Sequence, residues 1–464
     1  MGRYVTQVWP PGTEGHEYGA YIPNPLGGWN PKFSRRVSDR IAAAGADISH
    51  TVSTSARSIS YRWAADSIMA QGESLSSSAI EGIYASLEGM SLGTDGADAA
   101  NRAALGNWEM AEQAMSIAEH GGPIAVDDIL DLHSTLMARS DTPHLAGKLR
   151  LGPVWVGAPV AAGMGPIGAR FVPPPAGEVR QLLDDLVDYI NYSDHEPVLR
   201  AAVAHAQFES IHPFPDGNGR TGRALIPIAL FSGGSGDALH LPISRALLAS
   251  RSAYYDSLYS FQRYEGSPGD PARSVSLEPW VEMFADSAQR ATEQVRMAAS
   301  LTDDLMRYWR NRLGGIRPDS AVWKIASEMA FQPAFTVESI ESELGSEASI
   351  SAIRRGIARL RQAGIVQEVG RSGKTQIYRA AEIVSLAEKV LGLSEAASGG
   401  VVTRTEDYVA LPGLADGAAS IRPRGVREGR ASTRSSAWQC AHWGRRTNRQ
   451  CTRPYGHKGQ HRYD

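Results

Sequence analysis

The sequence predicts a mainly α-helical protein built from more than one folded module. Three observations carry that expectation. Apolar residues recur at three- and four-residue intervals through long stretches of the first 300 positions, as in Ile129, Leu132 and Leu136 or Val179, Leu182, Leu183, Leu186, Val187 and Ile190. β-type runs are short, the clearest being Val154-Trp155-Val156 and Phe171-Val172. The texture changes near residue 318, and 464 residues exceed the usual size of a single domain.

Taken in order, residues 1–40 are rich in Pro, Gly and aromatics (Trp9, Pro10, Pro11, Tyr18, Tyr21, Trp29) and read as an extended arm packed on a body. Residues 41–300 read as the main helical core. Within it, 147–175 breaks the helical period and reads as a small hairpin-like flap, ended by Pro173 to Pro175, which cannot donate. A helix is expected over 197–210, a loop over 212–219, and an apolar helix through Leu225, Ile226 and Leu230.

In 316–385, helical stretches at 321–330, 337–344 and 349–363 precede two short strands around 370–374, the pattern of a winged helix-turn-helix. Its third helix carries a core stripe of Ile350, Ile353, Ile357 and Leu360, with Arg354, Arg355, Arg359 and Arg361 on other faces. With Arg371 and Lys374 on the wing this module could read DNA; Glu338, Glu341, Glu343 and Glu347 weaken that case, and a protein-contact or structural role stands beside it. Residues 392–436 read as a linker and 437–464 as a small Cys/His module.

Charge divides unevenly. Residues 421–464 hold 11 Lys and Arg against 2 acids, so the first 420 carry 36 against 48 and a balance of −12. Hydrophobic residues at 42% exclude a wholly disordered chain. The lack of a long apolar run or apolar leader excludes a membrane partner and points to the cytoplasm.

The chemistry concentrates in residues 211–223. Gly217 and Gly219 let main-chain N–H groups converge at the start of a helix, whose positive end favours an anion. Arg220 and Arg223, three apart on the first turn, add charge suited to a di- or triphosphate. Asp216 suits a divalent cation bridging phosphates. His212 can take a proton near neutral pH, and Phe214 is expected to point into the core and pin the loop.

His212-Pro-Phe214-Pro-Asp216-Gly217-Asn218-Gly219-Arg220-Thr-Gly-Arg223 resembles the Fic motif, H-x-F-x-[DE]-G-N-G-R-x-x-R, at all eight fixed positions. The resemblance implies a Fic helical core over about residues 40–300 that transfers AMP from ATP to a hydroxyl of a target protein at Ser, Thr or Tyr. It makes His212 the base, Asp216 the Mg²⁺ ligand, and Gly217, Asn218, Gly219, Arg220 and Arg223 the phosphate holders. Ser77-Ser-Ala-Ile-Glu81-Gly82 resembles the family's inhibitory motif, [ST]-x-x-x-E-[GN]. By that resemblance Glu81 pairs with Arg223 and keeps ATP in an unproductive pose. Segment 147–175 is similar to the family's flap, whose β-edge would register a target segment. Two alternatives stand beside this reading, a de-adenylylating Fic enzyme and a nucleotide-sensing DNA-binding regulator. Targets and oligomeric state stay open, a homo-oligomer included.

The tail holds Cys440, Cys451, His457 and His461, with His442 as a spare. Two thiolates and two imidazoles make a tetrahedral Zn²⁺ set, which would fold a segment too small for its own core.

Overall fold

The computed structural model describes residues 2–12, 15–55, 64–91, 98–157, 165–233, 238–263, 265–267, 270–372 and 375–392. The tail residues Cys440, His442, Cys451, His457 and His461, and Lys374 of the expected wing, lie outside them. The described chain divides into two compact units, each interrupted in sequence. The first takes the described residues within Met1–Ala56, Ser76–Ile83 and Gly106–Glu293; the second takes the described residues within Arg57–Leu75, Tyr84–Leu105 and Gln294–Asp464.

The first unit opens with an antiparallel hairpin rather than an unpaired arm. β1 (Gly2–Trp9) pairs with β2 (His16–Pro23) in a register running from Gly2 opposite Pro23 to Trp9 opposite His16. The hairpin packs on the flap. Tyr21 N–H donates to Val172 O at 2.9 Å, and Trp9 meets Trp155 edge to face at 5.7 Å. The flap is slighter than a ribbon, since Val156 and Phe171 form a single antiparallel bridge.

Helix α1 (Arg35–Ser55) buries Val37, Ile41, Ala44 and Ile48, spaced four, three and four apart, so one stripe faces the core. The last turn of α2 (Asp66–Ile80) also belongs to this unit, as does most of α4 (Ala99–His120). α5 (Val126–Met137) and α6 (Val179–Tyr192) follow, and α6 buries every apolar position the period marked. At the centre is α7 (Pro197–Ile211), buried on nearly all sides, as expected of a helix surrounded by others. Glu196 caps its start by accepting from Val198 and Leu199 N–H, with Pro197 in the first turn. α7 packs against α8 (Asn218–Phe231), so the short loop between them is held from both ends. α9 (Ile243–Ala249) leads into α10 (Arg251–Gln262), which packs on α7 with the first part of the 42-residue α11 (Ala272–Leu313), where buried Trp280 donates to Ala202 O at 2.7 Å.

The second unit contains α3 (Leu87–Ser91), the rest of α11, and α12 (Ala321–Glu328), α13 (Val337–Leu344) and α14 (Ile350–Gln362). β3 (Ala334–Phe335), β4 (Gln367–Ser372) and β5 (Thr375–Arg379) form an antiparallel sheet in the order β3-β5-β4. Ile353, Ile357 and Leu360 are buried, but Ile350 is 40% exposed, because it begins α14 before the helix reaches the core. α15 (Ala381–Leu391) closes the unit; its buried Glu382 accepts from Trp309 Nε1 and, at 2.6 Å, from Arg312.

Candidate active site

The loop between α7 and α8 begins under strain. His212 caps α7 at φ 49° and ψ 63°, and among the described residues it alone combines a side chain with positive φ. The left-handed region costs a non-glycine residue about 1–2 kcal/mol. Arg150 offsets that cost. Its guanidinium donates to the carbonyls of His212 (2.8 Å), Ile211 (3.3 Å), Gly152 (3.1 Å) and Pro174 (2.6 Å), and its own N–H donates to Pro213 O (3.0 Å). One buried side chain thus fixes the backbone of the loop and of the flap together.

Phe214 is fully buried, as expected, with the ring of His133 stacked on it at 3.7 Å. Gly147 N–H donates to His133 Nδ1 at 3.0 Å, so the ring proton sits on Nε2 and is donated to Asp216 O at 3.0 Å. Burial pushes the His133 pKa down to about 4, which preserves the neutral ring this relay needs. Asn218 closes the loop on itself, because its amide accepts from Phe214 N–H and donates to Phe214 O, both at 2.8 Å. With its side chain so engaged, Asn218 has its main-chain N–H to offer an anion.

Gly217, at φ 78°, is the N-cap of α8, whose first turn directs unpaired N–H groups to one place. Asp216 is the loop's exposed acid, its side chain 58% accessible, with Oδ1 accepting from Gly217 N–H at 2.6 Å and lying 3.9 Å from Arg220 Nη2. Arg220 and Arg223 are both buried. Nε and Nη1 of Arg220 and Nη1 of Arg223 have no hydrogen-bond partner. Buried guanidinium nitrogens without acceptors beside a helix N-terminus suit a polyphosphate.

A carboxylate already stands in that position. Glu81 Oε1 accepts from Arg223 Nη2 at 2.7 Å and lies over Gly219, where a Cβ would come within 2.1 Å of it. Ser77 completes the grip, its Oγ accepting from Arg223 Nε at 2.9 Å and its carbonyl from Nη2 at 2.8 Å. Burial alone would raise the Glu81 pKa; the charge and hydrogen bond of Arg223, then Arg220 and His212, outweigh burial and hold it below the usual carboxylate range. Arg223 loses by burial and gains more from Glu81, so its pKa is raised.

Glu81 is aimed by the end of α2. Ile83 N–H donates to Ser78 O and Gly82 N–H to Ala79 O, each at 3.0 Å, the two bonds of a Schellman cap. Gly82 sits at φ 80°, a conformation that explains glycine after the glutamate.

His212 lies beside this pair, with its pKa lowered to about 4 by burial and Arg150, against the pull of Glu81, the Glu209 carbonyl and Asp216. The structure therefore brings His212, Phe214, Asp216 to Arg220, Arg223, Ser77, Glu81 and Gly82 into one site. Sequence reading did not single out Arg150, His133 or Glu209 as parts of it. Glu209 left a signal, being the one acid in α7. Among the described residues no group of three or more His, Cys, Asp or Glu is placed to hold a metal ion, so a cation here would need ligands from a bound phosphate.

Residues 123–230 match the model of the Fic/DOC family. Protein adenylyltransferase fic-1 of Caenorhabditis elegans is 34% identical over 184 residues, which cover 39% of this chain and 30% of that protein. Protein adenylyltransferase Fic of Drosophila willistoni is 31% identical over 180 residues, 38% of this chain and 30% of that protein. The chain thus spans less than a third of the length of these curated relatives. A crystal structure of a Fic family protein from Desulfovibrio desulfuricans G20 aligns with TM-score 0.45 at 20% identity, covering 76% of this chain and 98% of that one. Residues 123–230, from the start of α5 through the loop and nearly all of α8, are a Fic domain.

Proposed function

We propose that this chain is a protein adenylyltransferase that transfers AMP from ATP to a Ser, Thr or Tyr hydroxyl of a target protein, and that Glu81 holds it inactive. The observation that carries the proposal is the Glu81 carboxylate seated on Arg223 above Gly219, in the place the loop prepares for a phosphate. ATP bound with Glu81 in place would lose one guanidinium contact and meet a negative charge at its terminal phosphate. With Glu81 withdrawn, Arg220, Arg223 and the α8 N-terminus hold the phosphates and fix the α-phosphorus before the acceptor. His212 takes the acceptor proton as the oxygen attacks, and pyrophosphate leaves. Such transfer depends mainly on positioning and charge neutralisation.

Asp216 fits Mg²⁺, since it offers a single exposed carboxylate next to the phosphate position and Mg²⁺ takes its remaining ligands from phosphate and water. Bound there, Mg²⁺ would neutralise phosphate charge. The flap, with Val156 and Phe171 bridged, would lay a target segment beside His212.

The helices and sheet of residues 321–379 we read as a winged helix-turn-helix, with Arg354, Arg355 and Arg359 exposed on α14. Salt-dependent binding of a DNA duplex would assign it to DNA; without that, it is a protein-contact module. Zinc in the Cys/His tail and a cytoplasmic location rest on the sequence alone; no helix among the described residues is long and apolar enough to cross a membrane.

The test is intact mass after incubating Glu81→Gly protein with ATP, Mg²⁺ and lysate. An AMP adduct that appears with Glu81→Gly and disappears with the additional His212→Ala is expected. No adduct on any protein would reject the proposal.

A further inference from the structure

Behind the catalytic loop lies a polar cluster that neither the motif nor the inhibitory contact accounts for. Glu209 stands one turn before His212 on α7, and its Oε2 is 3.9 Å from His212 Nδ1. That nitrogen is buried near the Glu209 main-chain carbonyl without a well-formed hydrogen bond, and the other carboxylate oxygen, Oε1, is buried without a partner. The buried ring nitrogen and Oε2 therefore stand just beyond bonding distance of each other, a gap whose closure would give Nδ1 a full partner. Space for the carboxylate exists because residue 222 is glycine: a Cβ there would approach Glu209 Oε1 to 2.7 Å. His212 is 19% exposed at its side chain while Nδ1 is covered, so the accessible part of the ring is the edge bearing Nε2.

We propose that Glu209 is the positioning residue of His212, closing on Nδ1–H to fix the ring with the Nε2 lone pair toward the acceptor hydroxyl. This rests on the adenylyltransferase reading. As the acceptor oxygen bonds to the α-phosphorus and the bond to the pyrophosphate oxygen breaks, the acceptor proton passes to Nε2. The imidazolium then carries its second proton on Nδ1, facing Glu209. In the resting geometry burial and Arg150 hold His212 to about 4, weak for a base at neutral pH, and a closed carboxylate raises it. The charged and titratable groups around the pair are Glu81 on the end of α2, Arg150 near the flap, His205 on α7, Asp216 in the loop, Arg223 on α8 and Tyr254 on α10. Burial lifts Glu209 itself to about 7, with Arg223 opposing and Glu81 adding, so near neutral pH the carboxyl changes charge and can ionise as it closes on Nδ1–H.

The test compares Glu209→Gln and Glu209→Leu with intact Glu209, all on the Glu81→Gly background. ATP affinity is read by calorimetry, AMP transfer as a function of pH, and His212 protonation by imidazole ¹⁵N shifts assigned with His212→Ala. We expect ATP affinity within about twofold and transfer reduced by about 10- to 100-fold, with the acid limb of the profile and the His212 titration both moved to lower pH. The near-isosteric Gln variant carries the test if Leu does not fold. An unmoved His212 titration overturns the proposal, whether or not transfer falls. If no protein transfers AMP, the parent reading fails while the His212 titration still decides the role of Glu209.

Discussion

At the level of single residues, the loop depends on side chains that arrive from far along the chain. Arg150 satisfies four carbonyls and holds His212 in the left-handed region. Arg150→Ala should lower stability by about 3 kcal/mol in urea titration and abolish transfer, since buried carbonyls lose their donor. Lys should rescue little, because a single ammonium cannot span four acceptors. Glu209 gives a pH-dependent test. Its folded pKa near 7 exceeds the ordinary 4.5, so its contribution is full below 4.5 and is lost as pH rises through 7. Glu209→Gln should therefore gain about 3 kcal/mol on the wild type between pH 4.5 and 7.5, read from urea midpoints at both values. The motif positions were legible in the sequence because loop chemistry is local. Arg150 and His133 were not, since their partners lie some 60 to 80 positions away. Asn218 was legible as a residue but not in its engagement, which depends on how tightly the loop closes on Phe214.

At the level of elements, helices with a clean apolar period were readable almost to the residue. α6 buries all six marked positions, and α13 spans 337–344 as expected. The N-terminal hairpin was not readable, because its Pro- and Gly-rich composition masks a pairing that becomes visible only as register. The flap erred the other way: two β-type runs make one bridge, as little backbone pairs between them. α15 was not among the expected helices, although Ile383, Leu386, Ala387 and Val390 recur at helical spacing and are buried; its Glu382 is held by Trp309 and Arg312. The end of α2 yields the element-level prediction. Gly82→Ala forces a side chain into φ 80° with open space around it, so the cost is backbone strain, about 1 kcal/mol. Because the same cap aims Glu81, basal AMP transfer should rise as the thermal midpoint falls; a lower midpoint with unchanged transfer would separate the cap from inhibition.

At the level of the whole chain, two interleaved units replace the continuous segments that composition suggests, since α2, α4 and α11 each contribute to both. Charge tells a similar story. The acidic first 420 residues enclose a buried pair of arginines whose acceptors are incomplete, and one glutamate answers them. The competition proposed is between this glutamate and a nucleotide phosphate for one site. It is tested most directly by the rate of label transfer from α-labelled ATP to protein, measured for wild type, Glu81→Gly and Glu81→Gly/His212→Ala. Competition for the site predicts at least a ~tenfold rise for Glu81→Gly, equivalent to about 1.4 kcal/mol of barrier, and background transfer for the double variant. Equal rates for wild type and Glu81→Gly would contradict it.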